Sequence, residues 1–192
     1  MDNLWLNHNS AQHPGHITVG EFGTVAGSGT ILAMSFNVDG TFNPTGMELY
    51  MSALGGAGAE SAANPTQLNM KEDSFFQVNF GLDNPALFMK LGSLNLAESV
   101  TLELGGSFED FVGKKLIKGV VDGWFDIIET DDGTFLRDKT QTGDLQTYTN
   151  STTGEVIQLN YANGVDVIPE PTTWALMVGG LGALVFLRRR RS

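Results

Sequence analysis

The sequence predicts a mainly β protein: an antiparallel β-sandwich of the jelly-roll kind, followed by one C-terminal transmembrane helix. Three observations predict it. Short stretches alternate apolar and polar residues with period two, the mark of half-buried strands. Turn-forming pairs stand between those stretches, at Asn43-Pro44, Asn84-Pro85, Asp132-Gly133 and Thr153-Gly154. The chain end carries no charge from Pro171 to Leu187, and then four arginines in a row.

The strands follow from the alternation. Leu32, Met34, Phe36 and Val38 share one face of a stretch that ends at an Asp39-Gly40 turn. Met47, Leu49 and Met51 repeat the pattern, as do Phe76, Val78 and Phe80. Val100, Leu102 and Leu104 face one way, with Ser99, Thr101 and Glu103 opposite. Phe125 shares a face with Ile127, and Ile157 with Leu159 and Tyr161. Phe108, Phe111, Val112 and Leu116 sit at helical spacing interrupted by Gly113, which predicts one short helix across an end of the sandwich. Residues 54–65 read as a long surface loop, and residues 140–154 as a hairpin with an exposed tip. Asn-Pro recurs at 43–44, 64–65 and 84–85; turn punctuation is the simpler reading than a repeat.

Composition narrows the function. The 192 residues contain no cysteine, which excludes disulfides, thiolate nucleophiles and Cys-type zinc sites. The net charge is −11. Residues 1–168 hold 7 basic and 21 acidic residues, so this body carries −14. Such a surface repels nucleic acid and anionic lipid and suits cations better.

Two domains follow: a body over residues 1–166 and a tail over residues 167–192. The uncharged run reads as a membrane helix over 172–187, at the short end of what spans a bilayer. Trp174 stands at one end as an interfacial aromatic, and Arg188, Arg189, Arg190 and Arg191 form a basic cluster that stays cytoplasmic. Ala175, Gly179 and Ala183 repeat every four residues and offer a small-residue face for helix packing within membrane lipid. Pro169 and Pro171 hold Ile168 and Glu170 extended, the shape a processing enzyme needs.

The order Pro169-Glu170-Pro171, a short apolar stretch with Gly179, Gly180 and Gly182, and a terminal arginine cluster resembles a PEP-CTERM sorting signal. The resemblance covers Val167 to Ser192. It implies an exported protein of a Gram-negative, exopolysaccharide-forming cell, whose partner is an exosortase that recognises and removes the tail. It implies passage through the inner membrane, body on the periplasmic side, and then the cell surface or matrix. The expected role is structural or adhesive, without catalysis. The alternatives are a carbohydrate-binding module for the exopolysaccharide, with Trp124, Tyr148 and Tyr161 as its candidate aromatics, and an uncleaved membrane-anchored protein. The opening MDNLWLNHNSAQHPGH lacks a basic segment followed by an apolar one, so a natural start upstream of Met1, with an export signal, is expected.

Three clusters in the body invite chemistry. Asp126, Glu129, Asp131, Asp132 and Asp138 place five carboxylates close together in sequence, a set that suits a structural calcium; an acidic hairpin turn is the plainer reading. His8, His13 and His16 could hold zinc, but their spacing fits neither a helix nor a strand face, and a surface loop is the plainer reading. Glu48, Glu103 and Asp126 lie on strand-like stretches, where a glycosidase would need two of them to converge in a cleft.

Overall fold

The computed structural model describes residues 16–33, 35–51, 67–79 and 85–169. It is mainly β, with fourteen strands in one hydrogen-bonded sheet among the described residues. The expected sandwich is corrected: the sheet closes on itself as a barrel of ten strands, and most of its pairings are parallel.

The chain winds in successive rungs. The first is β1 (His16–Val19) and β2 (Thr24–Ala33), and the second is β3 (Ser35–Val38) and β4 (Thr41–Met51). The third is β5 (Gln67–Met70), β6 (Phe75–Asn79) and the start of β7 (Leu87–Leu96). The fourth takes the rest of β7, β8 (Thr101–Gly105) and the start of β9 (Lys115–Asp122). The end of β9 and β10 (Ile127–Thr130) begin a fifth. Each rung lies parallel on the one before, giving three ladders: β1-β3-β5-β7-β9, β2-β4-β6-β8-β10 and β2-β4-β7-β9. The winding ends in an antiparallel meander of β11 (Gly133–Arg137), β12 (Leu145–Asn150), β13 (Val156–Asn160) and β14 (Gly164–Ile168). The last of these runs antiparallel to β9 and completes the ring.

Parallel stacking puts like side chains over like. Inside, Phe42, Phe76, Leu102 and Ile128 share one register position, and Phe36, Leu68, Leu94 and Val121 another. Phe36, Phe42, Phe76 and Phe125 form a continuous aromatic file with centroids 5.5, 5.6 and 5.7 Å apart. Outside, Asn37, Asn69 and Asn95 stack: Asn69 Nδ2 donates to Asn37 Oδ1 (3.0 Å), and Asn95 Nδ2 to Asn69 Oδ1 (3.2 Å). A second polar file joins Asn43, Gln77 and Glu103, with bonds of 2.7 and 3.0 Å.

Several expectations need correction. The run over 31–38 is two strands rather than one. Ile31 and Ala33 point inward and so do Phe36 and Val38, a change of phase that needs a corner between them. In β10 the inward residue is Ile128, and Ile127 is half-buried. The predicted helix is a single 3-10 turn, Phe108–Phe111, after which the chain becomes β9. The surface loop over 54–65 lies outside the described residues. The transmembrane helix is corrected too. Among the described residues no helix is long and apolar enough to cross a membrane. The run from Pro171 to Leu187 is shorter than the ~20 residues a span needs, and 172–187 lie outside the described residues.

Candidate functional site at the end of the last strand

The body and its tail meet inside β14. This strand is short, Gly-Val-Asp-Val-Ile, and its alternation buries Val165 and Val167 in the core. Gly164 starts it at φ +109, and a Cβ there would lie 2.0 Å from the Ile117 carbonyl oxygen. Only glycine lets the chain come this close to β9. Val167 is locked on both backbone groups: its N–H donates to the Lys114 carbonyl (3.0 Å), and its carbonyl accepts from the Gly113 N–H (2.9 Å). Beside it the Asp166 carboxylate takes a bond of 2.7 Å from Lys115 Nζ. On the other side Val167 pairs with Leu159, and Ile168 with Gln158. Pro169, without an N–H, follows the strand and is half-buried.

This is the point at which the conspicuous part of the tail begins. Residues 167–191 match the PEP-CTERM protein-sorting motif. The tail is a PEP-CTERM sorting signal. A PEP-CTERM signal directs processing by an exosortase and export toward the cell surface. No curated protein and no solved structure matches the chain. The matched segment starts at Val167, so the first two residues of the PEP-CTERM segment are also the last two of β14. Of Pro169, Glu170 and Pro171, the first alone falls within the described residues. Ala175, Gly179, Ala183 and Arg188 to Arg191 fall outside them.

The body's candidate groups are dispersed. Asp126 is buried at 6% exposure and holds Arg137 Nε (2.9 Å), Lys139 Nζ (2.8 Å) and the Ser99 N–H (3.1 Å). Burial pushes its carboxyl pKa up. The bonds from Lys139, Ser99 and Arg137 outweigh that and hold it below the usual carboxylate value. Arg137 also stacks on the Trp124 ring at 4.9 Å. Asp132 accepts from the Phe108 N–H (2.8 Å), and Asp138 from Thr140 Oγ1 (2.7 Å). Glu129 instead stands beside Glu103 in the parallel register of β8 and β10. The five carboxylates, Asp131 among them, therefore do not converge, and among the described residues no three His, Asp or Glu side chains form a metal-binding group. His16 shares a hydrogen bond with Ser35 Oγ, while His8 and His13 lie outside the described residues. Glu48 pairs with Lys90 at 3.1 Å on a different ladder from Glu103.

The candidate sugar-binding aromatics turn inward. Tyr148 and Tyr161 are buried, and Trp124 lies half-buried under Arg137. Tyr148 Oη donates to the Phe125 carbonyl (2.9 Å) and the Phe125 N–H donates to Tyr161 Oη (3.2 Å). The Tyr161 hydroxyl proton is then left for Tyr148 Oη, 2.8 Å away, and every donor in the triangle is used. Burial raises both phenol pKa values above the ordinary one.

Proposed function

We propose that this chain delivers a rigid β-barrel to the cell surface or its matrix, where the barrel serves as a structural, non-catalytic component. The exosortase acts on the tail beyond Ile168 and leaves the barrel whole. The observation that carries this reading is the overlap at β14. Val167 and Ile168 belong both to the matched segment and to the strand that completes the ring. A cut before Val167 would strip a buried core residue and two backbone bonds from the body, whereas a cut beyond Ile168 spares the whole strand. The polar files on the outside and the aromatic file within support a scaffold role, because each locks one rung to the next. The test is fractionation of cells with and without the processing enzyme. The expected result is barrel protein at the cell exterior in the first case and its retention in the second. Equal surface delivery in both would contradict the reading.

A further inference from the structure

We infer that the first rung is a docking surface for a second copy of this chain, stacked end-on about a twofold axis. The two ends of the winding differ. One is closed by the antiparallel meander β11 to β14. At the other, β1 and β2 are the terminal strands of the sheet, and each pairs on one side only among the described residues. Their free sides offer a rim of N–H and C=O groups, and the core opens with them. Val19 and Ile31 keep 7% and 8% exposure, while Val38 and Leu49, one rung below, have 0%. Phe22, at the corner between β1 and β2, is 95% exposed.

Solenoid-like windings need capped ends, and edge strands are ordinarily protected by lysine, proline or inward charge. Residues 16–33 contain neither lysine nor proline, and their one charge is Glu21. The charge map says what fits. From Phe22 to Val38 no residue is charged, and of the 28 charges in residues 1–168 (7 basic, 21 acidic) only Asp2 and Glu21 precede Asp39. A basic partner would be drawn to the acidic lower rungs. A partner for this rim must itself be neutral and present free strand edges. A second copy meets both needs and keeps the two acidic ends apart. A twofold axis perpendicular to the winding reverses strand direction, so each edge strand meets an antiparallel one. The contact is self-complementary and closes at two copies. This inference does not depend on how the tail is processed.

The test compares the full chain with an Ala26→Lys/Thr30→Lys double variant by sedimentation velocity and by amide hydrogen exchange over residues 24–33. Both side chains are exposed on β2, so the barrel is expected to keep its thermal midpoint. The expected result is a dimer whose β2 amides lose protection on dilution, and at least tenfold weaker association in the variant. A wild-type chain that stays monomeric at high concentration would overturn the inference. So would a dimer unaffected by the two lysines, which would place the contact elsewhere. Protection of β2 that is independent of concentration would mean that the chain covers its own rim, and would equally overturn it.

Discussion

Asp126 shows how a residue's neighbours decide what its charge is for. It lies in the most acidic stretch of the sequence, and that density suggested a calcium site. Arg137 and Lys139 follow inside the same stretch, and the fold commits the carboxylate to them. Alternation could not reveal this, because it does not say which charges the meander folds back onto one another. Asp126→Ala would leave Arg137, at 11% side-chain exposure, without its partner. The expected cost is about 3 kcal/mol at pH 7 in denaturant unfolding. The folded-state pKa of Asp126 lies below the unfolded one. The carboxylate's contribution is therefore complete above the unfolded value, near ~4, and is lost as pH falls through the folded value. The gap between wild type and variant should close over that acidic range, which unfolding curves at several pH values would show. Asn69 is a second case, since its amide both gives and receives a bond in the outer file. Asn69→Ala is expected to cost about 1–2 kcal/mol, measured in the same way.

At the scale of elements, strand positions were legible and strand partners were not. Inward faces such as Val100, Leu102 and Leu104, or Ile157, Leu159 and Tyr161, were read directly from period two. That period is the same for parallel and antiparallel neighbours, so it cannot distinguish a sandwich from a winding. The signal that could have done so is the triplet of apolar residue, asparagine, apolar residue at 36–38, 68–70 and 94–96. The intervals between these triplets are unequal because the stretches joining the strands differ in length, and this hid the repeat. Stacking in register also places like charges together. Burial and the neighbouring Glu129 carboxylate raise the pKa of Glu103, partly offset by the bond from Gln77. A raised carboxyl pKa favours the folded state at low pH, and that advantage fades as pH rises through the folded value. Glu103→Gln should therefore stabilise the barrel at neutral pH, continuing the amide file, with a gain of under about 1 kcal/mol on this solvent-facing side. Thermal midpoints of wild type and variant, compared at pH ~4 and pH ~7, would test this; the gain should shrink at the lower pH.

For the molecule as a whole, the tail was legible in the sequence because its three parts stand in a fixed order. The point where it joins the body was not. That depends on β14 returning to β9, where Val165 pairs with Ile117, far earlier in the chain, and no local pattern reports so distant a pairing. The central claim about the whole chain is that the exosortase removes the tail and spares the barrel. The measurement that tests it most directly is the intact mass of the protein recovered from the cell exterior. The predicted product has its C-terminus beyond Ile168, with the arginine cluster gone and β14 retained. A mass that still includes Arg188 to Arg191, or one that ends before Val167, would contradict it.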